Sequence, residues 1–167
     1  GNPTEAAILW SLNERVGLDY RKIRESTKTL ARRPFRKKDK YMSTIQTAEG
    51  KFELYSKGAP EIVIDRCTHF QNWEGKITPM PEQIRAQVDR VVSDMTNRGL
   101  RTIALTMRKL TEKEIEEGKK SEVEGRWPKF FDSAPENEMT LVAIFGIEDP
   151  LRKQVPGAVV RCQNAGI

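Results

Sequence analysis

The sequence predicts an α+β fold, an antiparallel twisted sheet flanked by helices, with the start of an α/β unit at its C-terminal end. Three observations predict it. Tyr41 to Thr47 and Lys51 to Ser56 alternate in polarity across the turn Ala48-Glu49-Gly50, the pattern of an antiparallel hairpin. Ile84, Val88, Val91, Val92 and Met95 hold helical spacing between Pro81 and Gly99, and a strand pattern follows from Leu100 to Met107. Met139 to Ile147 is nearly all apolar and is followed by a helix opening at Pro156, the texture of a βαβ unit rather than a hairpin.

At the N-terminal end, Thr4 can cap a helix that starts at Glu5 and carries Ile8, Leu9, Leu12 and Val16 on one stripe until Gly17 ends it. Glu5 then sits in the first turn. There it either complements the helix dipole or accepts a hydrogen bond from a ligand amine. Asp19 to Ala31 is polar and weakly periodic and reads as irregular. Arg32 to Arg36 reads as a strand in which Phe35 is the lone large apolar residue, set among Arg33, Pro34, Arg36 and Lys37. Such a ring is either the single inward residue of a strand or a platform for a stacked base with phosphates nearby.

The hairpin delivers Lys57 on the face of Glu53 and Tyr55, opposite Phe52 and Leu54. Lys57-Gly58-Ala59-Pro60-Glu61 then turns the strand into a helix running from Ile62 to Cys67, with Pro60 suited to its first turn. A lysine at a strand end beside a residue with no side chain can receive a phosphate-bearing ligand. It can also be only a strand–turn–helix joint. Thr68 to Pro79 reads as a polar loop that exposes His69. Arg101 enters its strand beside the helix-ending Gly99, on the face of Ile103, Leu105 and Met107, where its guanidinium can grip a phosphate or simply meet water. Thr111 to Gly118 is a short charged helix. Lys119 to Asn137, with Trp127 and Pro128, reads as an irregular surface insertion. Met139 to Ile147 is expected to be buried on both faces, with a domain boundary near Asp149.

Composition removes several function classes. No apolar run approaches the roughly 20 residues of a membrane helix, and no charged-then-apolar leader is seen, so no signal peptide is expected. Cys67 and Cys162 match no metal-ligand spacing and read as reduced, buried thiols of a cytosolic domain. With one histidine, a zinc site and a Ser–His–acid triad are both disfavoured. The formal charge is +5, and ten basic residues lie between Arg21 and Lys40 against Glu25 and Asp39. That stripe admits nucleic acid, phosphate ligands or acidic lipid headgroups, as well as a merely solvated face. No RNP, zinc-finger or helix-turn-helix pattern accompanies it, so a basic nucleic-acid-binding module is the alternative reading rather than the leading one.

Taken together, Gly1-Asn2-Pro3-Thr4-Glu5-Ala6-Ala7, Phe35 with Lys40-Tyr41-Met42-Ser43-Thr44, Lys57-Gly58-Ala59-Pro60-Glu61, Leu100-Arg101-Thr102-Ile103-Ala104-Leu105 and Gly146-Ile147-Glu148-Asp149-Pro150-Leu151-Arg152 resemble the nucleotide-binding domain of P-type cation pumps. Val155-Pro156-Gly157-Ala158-Val159-Val160 with Cys162-Gln163-Asn164-Ala165-Gly166-Ile167 is most similar to the plasma-membrane calcium pumps. The resemblance implies that residues 1–148 are a nucleotide-binding domain lacking its first part, and that 149–167 are a hinge and the start of a phosphorylation domain. It implies ATP, with Mg2+ in the whole pump, as the ligand. Phe35 would stack on adenine and Glu5 would sit by its amine. Lys57 would lie at the pocket floor, Gly58 would let the base pack there, Lys40 and Arg101 would reach the phosphates, and Ile103 would be an apolar wall. Asp149, Pro150 and Arg152 would be the hinge. The implied partners are the phosphorylation and actuator domains of the same pump, and calmodulin or an autoinhibitory tail, with no nucleic acid. The implied setting is a cytosolic domain of a multi-pass calcium-transporting membrane enzyme. The phosphorylated aspartate is absent from these residues, so the chain alone is expected to bind ATP weakly without turnover. Two positions depart from the family pattern. Asp39 stands where a basic residue is common, and Lys37 stands where arginine is common, keeping the charge without the planar fork.

Overall fold

The computed structural model describes residues 3–149 and 152–166. Helices α1 (Pro3–Val16) and α2 (Tyr20–Ser26) precede strand β1 (Lys28–Arg33) and the hairpin β2 (Tyr41–Ala48) and β3 (Lys51–Gly58). A four-residue helix α3 (Pro60–Val63) and a 3-10 turn lead into a second hairpin, β4 (Cys67–Gln71) and β5 (Ile77–Pro79). Helix α4 (Glu82–Asn97), strand β6 (Arg101–Lys109), helix α5 (Glu112–Lys120), strand β7 (Met139–Ile147) and helix α6 (Val155–Asn164) complete the order. The seven strands of the described residues form one sheet, β1-β2-β3-β6-β7-β4-β5. All pairs are antiparallel except β4 with β7. The fold is therefore the expected α+β class, a largely antiparallel sheet flanked by helices.

Alternation divides the sheet into two unlike faces. Tyr41, Ser43 and Ile45 of β2, Leu54, Ser56 and Gly58 of β3, and Ala104 and Thr106 of β6 are buried. They join Val63, Trp127 and Met139 in the core, with Ile84, Val88 and Val92 of α4 packed against it. The other face carries Met42, Thr44, Tyr55, Lys57 and Leu105, and α1 and α2 arch over it. Register is exact at the end that matters for the site: Tyr41 pairs with Gly58 and Met42 with Lys57, and across β6 Lys57 pairs with Leu105.

The structure corrects several expectations. The α1 helix begins by Pro3, so Thr4 lies buried within its first turn and does not cap it. The irregular reading of 19–31 fails twice. Asp19 caps α2 by accepting the Arg21 N–H at 3.0 Å, and β1 is already under way at Lys28. Neither element has a long apolar stripe, because α2 buries no residue and β1 buries only Leu30 and Ala31. Strand β1 stops at Arg33, since Pro34 offers no N–H to a ladder, and Phe35 lies in the following loop. The helix expected to reach Cys67 ends in the 3-10 turn Ile64–Arg66, and Cys67 opens β4. The loop expected over 68–79 is thus mostly the β4–β5 hairpin, and half-buried His69 pairs with Pro79 in it.

The largest correction is at 119–137. Trp127 is only 1% exposed, and Phe130 and Glu136 are buried with it. The ring lies against Gly118, where any Cβ would overlap it, and stacks on Phe52 at 5.7 Å. The charged helix before it is α5, closed at its start by a reciprocal cap between Thr111 and Glu114. Strand β7 is buried fully only at Met139, Thr140 and Leu141, so the expectation of burial on both faces holds for its first third. Cys67 is buried, and its thiol is pushed up to about 12, chiefly by burial, which leaves it protonated and inert. Cys162 is exposed on α6, against expectation. Gly1, Asn2, Pro150, Leu151 and Ile167 lie outside the described residues.

Candidate functional site

All seven residues singled out as candidate ligands line one open cavity of about 430 Å³: Glu5, Phe35, Lys40, Lys57, Gly58, Arg101 and Ile103. They come from four places in the chain. Glu5 is in the first turn of α1, and Phe35 and Lys40 are in the β1–β2 loop. Lys57 and Gly58 end β3, while Arg101 and Ile103 begin β6. The sheet brings them together because β2 starts where β3 ends, and β6 pairs with that same end of β3.

Gly58 is required by its neighbours. A Cβ there would stand 2.5 Å from the Lys40 carbonyl oxygen and from Tyr41 Cβ. The missing side chain therefore makes room for the Lys40–Tyr41 backbone, on the core side of the strand. That close approach lets the Ala59 N–H donate to the Lys40 carbonyl at 3.0 Å. Lys40 takes φ 57°, in the left-handed region, which turns the loop sharply into β2.

The charges are paired but remain accessible. Lys57 Nζ donates to Glu5 Oε1 at 2.5 Å, tying α1 to the sheet. Lys40 Nζ meets Glu61 at 3.3 Å, with both side chains more than half exposed. The Arg101 guanidinium donates to Thr4 Oγ1 at 3.4 Å and reaches Asp149 at 3.6 Å. Of the hinge candidates, Asp149 therefore touches a cavity residue, Arg152 is exposed and does not line the cavity, and Pro150 lies outside the described residues. Phe35 is 57% exposed, an uncovered ring at the cavity. Among the described residues, no group of three or more His, Cys, Asp or Glu side chains could hold a metal ion.

The hydrogen bond from Lys57 holds the Glu5 carboxyl below its usual 4.5; burial opposes this, and the charges of Lys57, Arg24 and Arg32 reinforce it. A depressed carboxylate stabilises the fold above the unfolded-state pKa and loses that contribution as pH falls through the folded value. The stability difference between wild type and Glu5→Gln is thus expected to shrink as pH is lowered from 7 to below 4.5 in urea titrations. A constant difference would show that the pair contributes nothing to folding.

Thr4, Ile8, Met42, Ala59 and Thr102 also line the cavity, although the sequence singles none of them out as a ligand. Met42 carried a usable signal, since strand alternation sets it on the Lys57 face across the hairpin. Ile8 follows Glu5 by one helical turn. A larger trough of about 860 Å³ runs on beneath α1 and α2 and shares Glu5, Met42 and Lys57 with the first. Within the basic stripe, Arg33, Arg36 and Lys40 are ion-paired to Asp39, Glu136 and Glu61.

Comparison with known proteins gives a consistent answer. Residues 1–154 match the family described as P-type ATPase, cytoplasmic domain N. The whole chain aligns with calcium-transporting ATPase 8, plasma membrane-type, of Arabidopsis thaliana at 32% identity, covering 15% of that protein. It aligns over its full length with plasma membrane calcium-transporting ATPase 2 of Oreochromis mossambicus at 35%, covering 14%. With plasma membrane calcium-transporting ATPase 4 of Homo sapiens the figures are 33% identity and 13% of the relative's length. The chain thus spans about one-seventh of the length of these relatives.

Proposed function

The chain belongs to the P-type ATPase family as its cytoplasmic domain N, and from that premise we propose that it binds ATP in the cavity beside Phe35 and delivers the γ-phosphate to an aspartate of a calcium-transporting pump. The observation that carries this reading is the convergence of an uncovered aromatic ring, three cations and one carboxylate on a single cavity. Its volume lies within the roughly 300–1,000 Å³ common for ligand sites. Phe35 stacks on adenine. Glu5, kept ionised by Lys57, accepts a hydrogen bond from the adenine amine. Ile8, Met42 and Ile103 exclude water from the base, and Gly58 contributes backbone. Lys40 and Arg101 neutralise the phosphates, and Mg2+ entering with the nucleotide would supply further neutralisation of that charge.

Phosphoryl transfer needs mostly positioning and neutralisation from the protein. This domain supplies both, while the nucleophile belongs to the neighbouring phosphorylation domain. Residues 1–148 hold the nucleotide, and Asp149, Pro150 and Arg152 begin the hinge toward that partner. The Arg101–Asp149 contact links the cavity to the hinge. Calcium as cargo rests on the names of the relatives and a cytosolic position on the family's description as a cytoplasmic domain, while a multi-pass membrane enzyme and regulation by calmodulin or an inhibitory tail rest on the resemblance of the sequence motifs to plasma-membrane calcium pumps. Two cations of the basic stripe, Arg33 and Arg36, are held in ion pairs by Glu136 and Asp39, which reduces the charge left for nucleic acid.

Titration of the 167-residue chain with Mg·ATP, followed residue by residue by NMR, tests the reading. Saturable shifts are expected at Phe35, Lys57, Gly58 and Arg101 with a Kd of roughly 0.1–1 mM, equivalent to about −4 to −5.5 kcal/mol. Shifts confined to α2 and β1, or none at 10 mM nucleotide, would overturn it.

A further inference from the structure

We propose that Asp39 is a positioning residue for base binding: its carboxylate clasps the loop that carries Phe35. The proposal rests on the reading of Phe35 as the stacking ring. A ring that is 57% exposed has no core to hold its direction, so its placement must come from the backbone on either side. Both flanking arginines converge on one carboxylate. Arg36 Nε donates to Asp39 Oδ2 at 2.5 Å, and Arg33 Nη2 lies 3.8 Å from the same oxygen. Backbone bonds tighten the loop further, with the Asp39 and Lys40 N–H groups both donating to the Arg36 carbonyl, at 3.0 and 2.9 Å.

The clasp is itself anchored. Arg33 is held from below by Glu136 at 3.4 Å, whose side chain is 1% exposed, and its guanidinium lies 5.0 Å from the centroid of the Tyr41 ring. Glu136, Arg33, Asp39 and Arg36 therefore form a chain of alternating charge from the core to the loop that presents Phe35. A second consequence is electrostatic. Asp39 occupies the half-exposed Arg36 guanidinium, which would otherwise be free to attract phosphate, so it favours recognition of the base over recognition of the anion.

A double-mutant cycle with two ligands separates these effects. Asp39→Asn is expected to weaken ATP binding about three- to tenfold while leaving inorganic tripolyphosphate binding unchanged or tighter, because only part of a base stack is lost. In a Phe35→Ala background the same substitution is expected to change ATP affinity less than about twofold, the mark of two residues acting through one another. Arg36→Gln opens the clasp from its exposed side and leaves Arg33 on Glu136. It is expected to lower the ratio of ATP to tripolyphosphate affinity in the same way. Asp39→Glu is expected to recover part of the loss. The proposal is overturned if Asp39→Asn leaves ATP binding unchanged while Phe35→Ala weakens it, if ATP and tripolyphosphate weaken alike, or if the effect persists undiminished without Phe35. If Phe35→Ala itself has no effect, the stacking reading fails instead.

Discussion

Phe35→Ala is expected to weaken ATP binding by roughly five- to 150-fold, the equivalent of about 1–3 kcal/mol for one lost base–aromatic stack. The effect should appear in affinity and not in folding. Phe35 is more than half exposed and belongs to no core cluster, so its removal is expected to change folding stability by no more than about 0.5 kcal/mol. The cations at the cavity cannot substitute for the ring. Lys40 is already paired with Glu61 and well exposed, and charges in that setting are screened to about 1 kcal/mol or less. Phe35→Trp retains a stacking face and is expected to retain most of the affinity. Calorimetric titration of wild type and both variants with Mg·ATP would check this. An unchanged Kd for Phe35→Ala would remove the base from this cavity.

The parts of the fold legible in the sequence are those whose signal is local. The β2–β3 hairpin alternates because one face meets the core and the other meets a partly open cavity. The α4 helix shows its stripe because Ile84, Val88 and Val92 all pack inward. Lys57 can be placed on the outward face by counting from Leu54, whereas Phe35, in the loop after β1, and the other proposed ligands rest on the family resemblance rather than on any local period. What escaped was held by contacts distant in sequence. Arg33 meets Glu136 across 103 positions, and neither residue's neighbours announce the pair. Strand β1 lies at a sheet edge and buries two residues, too few for a period to emerge. The β4–β5 hairpin is short, and its polar residues look like a loop because β5 is the opposite edge strand of the sheet and β4 lies next to it. Trp127 sits in a run of charge and proline, and its burial depends on a slot that Gly118 leaves open. No periodicity can encode such a slot.

Trp127→Ala is expected to cost about 3–5 kcal/mol of folding stability, the range for truncating a large buried aromatic. The ring is 1% exposed and stacks on Phe52 at an interplanar angle of 10°, with Phe130 a further 5.7 Å neighbour. Each such aromatic pair adds about 0.5–1.5 kcal/mol beyond area burial. Its indole N–H donates to Glu122 Oε2 at 3.3 Å, so the substitution also leaves that carboxylate without this donor. The Trp127 backbone N–H donates to the Leu30 carbonyl at 2.8 Å, closing the outer edge of β1. Losing the ring that holds residue 127 in place therefore loosens the strand that leads into the Phe35 loop. Domains of this size are stable by only about 5–15 kcal/mol, so the variant is expected to lose roughly a fifth or more of its margin. Gly118→Ala should act in the same direction without touching the ring's own chemistry, because the added methyl must displace it. Urea unfolding monitored by far-UV circular dichroism gives the stability change for both variants. A loss below about 1 kcal/mol for Trp127→Ala would mean that the segment from 119 to 137 lies on the surface after all, rather than forming the second wall of the core.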